Sequence, residues 1–216
     1  MSDKRLILAV PSDDLPASFE NGFNALTDSN VMAILEDADT WFGPRNTLED
    51  FDAYRQIIPY VIAVHDGKVV GYIRQPKSGE ARLHMKVSIG LGGHIDLPDA
   101  KFDGDNQFDV ERTIHGAAAR ELFEELGLDE VPPVTLAGMI VMNDTEVDRV
   151  HLGVVGVVHL KEVPAGSEET GAISMFAPAE LLQLPDMGYE LENWTKILVP
   201  HLPVLIAMAP LYGLGG

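Results

Sequence analysis

The sequence predicts an α+β fold in which a mixed β-sheet is sandwiched between helices. The middle of the chain is rich in strand-like segments, one long helix follows at residues 109–126, and short helices come after two further strands. Because 46% of the 216 residues are apolar, the chain can bury a hydrophobic core. No linker is apparent. We expect residues 1–54 to form an N-terminal helical extension that packs on a main domain, residues 55–216.

The N-terminal extension is predicted to contain one strand and several helices. The short apolar run at residues 6–10 favours a strand. Residues 17–38 have helical character in two pieces, which the turn-forming cluster at residues 27–30 separates. Residues 39–54 are predicted to be a loop with a short helix near residues 48–54.

The central strands are predicted from apolar runs and turn residues. Residues 57–64 and 68–74 should form a β-hairpin around the turn His65-Asp66-Gly67. Residues 82–91 alternate in character, which favours a strand, and this segment leads directly into Gly92-Gly93. Residues 101–107 are polar and are predicted to be a loop.

The second half of the chain begins with the strongest helix prediction. Residues 109–126 have helical periodicity, and Gly127 stands where a helix-ending glycine is expected. The remaining elements follow in the order strand, strand, helix, helix, at residues 134–141, 147–160, 178–184 and 190–199.

Composition excludes several function classes. The formal net charge is −19, which disfavours binding to a nucleic-acid backbone, although divalent cations can still bridge an acidic protein to small anionic phosphates. The chain has no cysteine, so it can form no disulfide, thiolate metal site or cysteine nucleophile. We expect no signal peptide and no membrane span, because the apolar runs are short or interrupted by proline, and therefore a cytoplasmic location.

Three glutamates in the predicted long helix suggest a metal site. Glu121, Glu124 and Glu125 have the spacing i, i+3, i+4, so they share one helix face. Crowded carboxylates repel one another unless a cation compensates, and hard oxygen ligands favour Mg²⁺ or Mn²⁺. The alternative is an acidic, solvated helix face, because this pattern alone is common.

The context of these glutamates resembles the Nudix (MutT-like) hydrolase family. The family signature is G-x5-E-x7-R-E-U-x-E-E-x-G-U, where U is a bulky aliphatic residue. Residues 120–128, Arg-Glu-Leu-Phe-Glu-Glu-Leu-Gly-Leu, match its second half at every fixed position. Gly92-Gly93, which follows a predicted strand, is similar to its beginning. The resemblance implies a Nudix-type fold, with residues 55–216 as the catalytic domain.

The first half of the signature departs from the family pattern. Between Gly93 and Arg120 lie residues 94–119, twice the length that the signature has, and we place an insertion at about residues 97–108. Counting back from Arg120 reaches Arg112 where the family has a glutamate, while Glu111 stands one residue earlier. A register shift would let Glu111 take that role. This departure affects the geometry of the loop more than the metal carboxylates.

The resemblance also implies roles for individual residues. Glu121, Glu124 and Glu125 would bind Mg²⁺ or Mn²⁺ together with the backbone carbonyl of Gly92. Arg120 would orient these carboxylates by ion pairing, and the catalytic set would be Arg120, Glu124 and Glu125. Nudix enzymes often take a base or a further metal ligand from a distal loop, for which the sequence offers Glu146, Glu168 and Glu169.

Basic residues near the glycine pair are candidates for substrate binding. Arg82, His84 and Lys86 alternate along one strand, and His94 directly follows Gly93. They could bind substrate phosphates, but a solvated sheet face or a structural histidine would give the same pattern. The segment Gly90-Leu91-Gly92-Gly93 lacks the Lys-Ser/Thr of a phosphate-binding P-loop and the spacing of a dinucleotide fingerprint.

The expected function is Mg²⁺-dependent hydrolysis of a phosphoanhydride bond in a small nucleotide-like substrate. The alternative is a Nudix-fold module that binds a ligand without catalysis, which the insertion and the displaced glutamate favour. An isoprenoid diphosphate isomerase is a weaker alternative, because the family's isomerases rely on a cysteine. We expect no nucleic-acid or membrane partner. A homodimer is compatible with the sequence, which specifies neither the assembly nor the substrate.

Overall fold

The computed structural model describes residues 5–73, 86–128, 130–167 and 170–209 of the chain. Its strands are β1 (Leu6–Pro11), β2 (Gly22–Ala25), β3 (Trp41–Pro44), β4 (Tyr54–His65), β5 (Lys68–Ile73), β6 (Lys86–Ser88), β7 (Gly90–Leu91), β8 (Thr135–Val141), β9 (His151–His159), β10 (Ile173–Phe176) and β11 (Glu190–Leu191). Its helices are α1 (Asp28–Asp37), α2 (Arg45–Leu48), α3 (Val110–Leu126), α4 (Glu146–Arg149), α5 (Pro178–Gln183), α6 (Asn193–Leu198) and α7 (Leu202–Met208).

The chain divides into two compact units, of which unit 1 contains residues 1–60, 93–118 and 136–155. In unit 1, β1 pairs antiparallel with β3 and with the beginning of β4, where Ala9 lies opposite Gln56. Strand β2 pairs antiparallel with β8. Consecutive residues of β1 and β8 are buried, and Ile7, Ala9 and Leu48 form one cluster of the core.

Unit 2 contains residues 61–92, 119–135 and 156–216. Its strands follow the order β11-β6-β5-β4, with β10 on β5 and β7 on the end of β4. Most of these pairs are antiparallel, but β11 is parallel to β6. The sheet is therefore mixed, and the predicted α+β class with a mixed sheet and helices is confirmed.

The predicted hairpin and the long helix are both confirmed. Strands β4 and β5 are joined at the turn Asp66-Gly67, where both residues have positive φ angles of 48° and 73°. Strand β4 is longer than predicted, and all but its two terminal residues are buried. Helix α3 begins one residue later than predicted.

The structure corrects the predicted elements of the N-terminal region. Residues 17–26 are not helical, because residues 22–25 form β2 against β8. A further strand, β3, lies within the predicted loop at residues 39–54, and the short helix comes earlier, as α2. Both strands gain their hydrogen bonds from partners distant in sequence. The assignment of residues 1–54 as an extension stays a prediction.

The C-terminal prediction is also corrected in part. The predicted helix at residues 190–199 begins later, as α6, because residues 190–191 form β11 beside β6. A further helix, α7, follows Pro200. Strand β9 is shorter at its beginning than predicted, since residues 146–149 form α4. In the described ranges, no helix has both the length and the apolar character needed to cross a membrane.

Candidate metal and active site

Helix α3 positions the predicted metal carboxylates. At its beginning, the Asp109 carboxylate accepts a hydrogen bond from the backbone N–H of Arg112 at 2.8 Å, which caps the first turn. At its end, Gly127 has a φ of 65°, and its N–H donates to the carbonyl of Phe123 at 2.9 Å. Between these ends, the side chains of Leu122 and Leu126 are fully buried. This packing fixes the rotation of the helix and thus the face that carries the glutamates.

Glu125 is the buried member of the three glutamates. It is only 3% exposed, and its Oε2 accepts a hydrogen bond from the backbone N–H of Gly92 at 3.0 Å. Its main-chain carbonyl accepts a second hydrogen bond, from Oγ1 of Thr170, also at 3.0 Å. Burial of a carboxylate is costly unless it has such partners. Two separate segments of unit 2 therefore hold Glu125 in place.

Arg120 binds the other two glutamates. Its Nη1 lies 2.7 Å from Oε1 of Glu121 and 3.1 Å from Oε2 of Glu124. The Glu121 side chain is 13% exposed and that of Glu124 is 50% exposed, so the helix face opens to solvent at Glu124. One guanidinium thus pairs with the carboxylates of both Glu121 and Glu124. The assigned roles of these residues stay predictions.

The chemistry of this donor set fits a divalent cation. All the side-chain donors are carboxylate oxygens, which Mg²⁺ and Mn²⁺ prefer, and their charge exceeds that of Arg120. Within residues 5–73, 86–128, 130–167 and 170–209, however, no three His, Asp or Glu side chains already converge as a metal site. Glu121 and Glu124 point to Arg120, while Glu125 points to Gly92.

Of the residues proposed to bind substrate in unit 2, Lys86 has a clear structural partner. Its Nζ lies 2.9 Å from Oε1 of Glu190, and Lys196 lies 3.8 Å from the same oxygen. The hydrogen bond with Lys86 is the main cause of the lowered pKa of Glu190. Since β6 and β11 pair at these residues, the ion pair supports the sheet edge. Arg82 and His84, which precede Lys86 in the sequence, lie outside the described residues.

His94, the remaining candidate for substrate binding, lies in unit 1. Its Nε2 is 2.8 Å from Oε1 of Gln56, and its ring centroid is 5.8 Å from that of His151. Gln56 is fully buried, and its Nε2 has no hydrogen-bond partner among the described residues. These contacts give His94 a structural environment, and its role toward substrate stays a prediction.

The candidates for a base or further ligand remain untested. Glu146 is exposed at the beginning of α4, in unit 1. Glu168 and Glu169 lie outside the described residues. Thr170, which follows them in sequence and binds Glu125, was not predicted, because a lone threonine has no distinguishing spacing.

The predicted insertion, residues 97–108, begins with a 3-10 helix at Leu97–Asp99 and continues as a loop with hydrogen bonds of its own. Phe102 and Phe108 form a β-bridge, and the Asp103 carboxylate accepts hydrogen bonds from the backbone N–H groups of Asp105 and Gln107. Arg112 donates from Nη1 to the carbonyl of Phe102 at 3.2 Å. The residue at the signature's glutamate position therefore binds the insertion.

Glu111, the predicted substitute for that glutamate, is exposed. It lines a cavity of about 540 Å³ in unit 1, together with Glu36, Asp39, Asp103 and Asp109. The register shift that would bring Glu111 into the role of the signature glutamate stays a prediction.

Comparison with known proteins supports the assignment of the chain to a family. Protein YmaB of Bacillus subtilis (strain 168) is 30% identical over 206 residues, which cover 91% of this chain and 97% of that protein. No protein-family model matches the chain. The similarity extends over nearly the whole length of both proteins.

One solved structure shows the fold. Tm1382, a proposed Nudix hydrolase, is similar with a TM-score of 0.71 and 22% identity, covering 94% of this chain and 99% of that one. The MutT protein of Methanosarcina mazei Go1 has a TM-score of 0.48 and 19% identity over 69% of this chain and 94% of that one. The chain therefore belongs to the family of Protein YmaB, and its fold is of the Nudix type.

Proposed function

We propose that the protein is a Mg²⁺-dependent hydrolase that cleaves a phosphoanhydride bond in a small nucleotide-like substrate. The observation that carries the proposal is the glutamate face of α3, on which buried Glu125 is bound by the amide of Gly92. An acidic solvated face would leave its glutamates exposed. Here one of the three is buried and another, Glu121, is nearly so.

In the proposed reaction, Glu121, Glu124 and Glu125 hold Mg²⁺ or Mn²⁺, to which the carbonyl of Gly92 is a further candidate ligand. The bound cation supplies charge neutralisation for the diphosphate and lowers the pKa of a water molecule. Arg120 orients Glu121 and Glu124 through the ion pairs described above. In this reaction these residues bind the cation and orient its ligands, and no residue of the chain forms a covalent bond to the substrate.

The chemical step is attack by water on one phosphorus of a diphosphate linkage. The bond from the water oxygen to phosphorus forms as the bond from phosphorus to the bridging oxygen breaks. A glutamate accepts the proton of the water, and the departing phosphate carries the electron pair of the broken bond. The candidates for this base are Glu124, which is half-exposed, and Glu146, Glu168 and Glu169, which are more distant in sequence.

A substrate panel tests the proposal. The purified protein is mixed with nucleoside triphosphates, dinucleoside polyphosphates, ADP-ribose and nucleotide sugars, with Mg²⁺, with Mn²⁺ or with chelator. We expect release of phosphate or mononucleotide that requires the metal. The proposal is wrong if the folded protein binds the cation but turns over none of these diphosphates.

A second candidate function is ligand binding without catalysis. Arg112 occupies the position of a glutamate in the family signature and binds the insertion at Phe102, which favours this alternative. Under it, one compound of the panel should raise the melting temperature without yielding product. Product formation with that compound would exclude the alternative.

A further inference from the structure

We propose that Thr170 is a positioning residue that holds Glu125 in the geometry needed to bind the divalent cation. This inference rests on the proposed function of the α3 glutamates. It concerns a side chain that binds the main-chain carbonyl of one of the predicted metal ligands, Glu125.

The contact is specific in its direction. Thr170 is fully buried, and its Oγ1 accepts a hydrogen bond from the backbone N–H of Ser167 at 3.0 Å. The same oxygen donates to the main-chain carbonyl of Glu125, also at 3.0 Å. A hydroxyl has a single hydrogen to donate. Because a carbonyl oxygen can only accept, the hydroxyl hydrogen is directed to Glu125.

The position of Glu125 in the helix gives this contact its importance. The last four carbonyls of a helix have no partner within it, and α3 ends at Leu126. Thr170 supplies a donor to one of them, on the residue whose carboxylate is the most buried of the three glutamates. The carboxylate is bound at its other end by Gly92.

Two anchors therefore fix one ligand. The amide of Gly92 sets the position of the Glu125 carboxylate, and the hydroxyl of Thr170 sets the position of its main chain. Loss of either anchor frees the last turn of α3 to shift. Since cation binding requires the glutamate oxygens to converge, a shift of a few tenths of an ångström should weaken it.

Another buried threonine provides a matched control. Thr113 is also fully buried on α3, its Oγ1 donates to the carbonyl of Asp109 at 2.7 Å, and it accepts from the N–H of Lys101 at 2.9 Å. It has the same pattern of hydrogen bonds as Thr170 but lies at the beginning of the helix. Thr113→Val thus removes an equivalent hydroxyl from the first turn of the helix, whereas Glu125 lies in its last turn.

The experiment compares Thr170→Val, Thr170→Ser and Thr113→Val with the wild-type protein. Binding of Mn²⁺ and Mg²⁺ is measured by titration calorimetry, and unfolding temperatures and kcat are measured in parallel. We expect Thr170→Val to weaken cation binding by about tenfold and to lower kcat. Thr170→Ser should restore binding to within about twofold, as it retains the hydroxyl. Thr113→Val should lose stability and keep the wild-type affinity.

The outcomes separate this inference from the proposed function. If the wild-type protein binds no divalent cation and has no turnover, the proposed function fails and the role of Thr170 fails with it. If the wild type is active but Thr170→Val retains its affinity and kcat, only the inference fails. Equal weakening in Thr170→Val and Thr113→Val would also overturn it, as the effect would then follow stability. Should Thr170→Val not fold, Thr170→Ala replaces it in the same comparison.

Discussion

The backbone N–H of Gly92 donates a 3.0 Å hydrogen bond to Oε2 of Glu125, whose residue is only 3% exposed. The bond joins the segment after β7 to the last turn of α3. In sequence the two residues are 33 positions apart. Glu125 is therefore the glutamate whose side-chain position is most constrained by the surrounding protein.

Neutralising Glu125 should abolish most of the proposed activity without unfolding the protein. In Glu125→Gln, the amide oxygen can still accept from Gly92, but the negative charge for the cation is lost. Because removing a partner behind a metal ligand already costs 10- to 100-fold, we expect kcat to fall on the order of 100-fold or more. The measurement is metal-dependent turnover of the best substrate of the panel.

The same assay should show a loss in Glu124→Gln. Glu162→Gln serves as the control, since Glu162 is exposed and lies outside α3. Full activity of both Glu124→Gln and Glu125→Gln would show that the site has been assigned to the wrong residues.

Arg55 should be a major contributor to the stability of unit 1. Its Nη1 donates to the carbonyls of Met142, Asp148 and His151, and its Nη2 lies 2.6 Å from Oδ1 of Asn143. Burial lowers the pKa of the guanidinium, and the carboxylates of Asp52 and Asp148 oppose this shift. Arg55 is only 6% exposed. Its replacement would therefore leave these three carbonyls without their guanidinium donor.

We expect Arg55→Met to lower the free energy of unfolding by about 2–4 kcal/mol. Arg55→Lys should recover only part of this loss, because an ammonium cannot reproduce the fork of the guanidinium. Denaturant unfolding measures both variants. A change below about 0.5 kcal/mol for Arg55→Met, the level of an ordinary surface substitution, would contradict the assigned contacts.

Gly138 should not tolerate a side chain. Its φ is 153°, and a Cβ there would meet the carbonyl oxygen of Asn24 and the ring of Phe23, on the paired strand β2. Gly138→Ala should therefore cost roughly 1–3 kcal/mol from the backbone conformation alone, with the steric contact adding to it. The control is Gly104→Ala, where a Cβ would have open space. Thermal unfolding of the two variants should differ clearly, and equal melting temperatures would disprove the close β2–β8 approach.

The ion pair between Lys86 and Glu190 should make stability depend on pH. Its hydrogen bond lowers the pKa of Glu190 below the ordinary value of 4.5, so the folded state favours the charged carboxylate. The stabilisation is fully present above this ordinary value. It is lost as pH falls through the lowered pKa, where the carboxylate becomes protonated in the folded state as well.

Unfolding of the wild type and Glu190→Gln, followed between about pH 3 and pH 7, tests this dependence. The wild type should be the more stable above about pH 5, and the difference should shrink toward the acid end. Because Glu190 is exposed, added salt should reduce the difference. A difference that grows with acidification would have the wrong sign.

Local features of the sequence were sufficient for the hairpin of β4 and β5 and for α3. The turn at Asp66-Gly67 and the stop at Gly127 are each encoded by residues within the element. The signature at residues 120–128 likewise identified the glutamate face, because its residues are neighbours on a single helix. These parts could be predicted since their interactions are short in sequence.

Other parts depend on distant partners and were missed. Strand β2 forms because Phe23 and Asn24 pair with Ile140 and Met139 of β8, which no local pattern of residues 17–26 reveals. Thr170 binds Glu125 across 45 positions, and its sequence context carries no sign of this. The ion pair of Lys86 with Glu190 was not predicted either, because Glu190 lies on a strand of two residues, and the role of Lys86 toward substrate phosphates stays a prediction.

Residues 102–108 of the predicted insertion begin and end at nearly the same point, where Lys101 and Asp109 meet. The N–H of Asp109 donates to the carbonyl of Lys101 at 2.9 Å, and the bridge of Phe102 with Phe108 closes the loop immediately beyond. The hydrogen bond between Asp109 and Lys101 closes the base of this loop, and it does not depend on how many residues lie between them. Residues 103–107 can therefore be lengthened, shortened or replaced while α3 still begins at Val110. The base of this loop is thus a suitable site for inserting new binding loops.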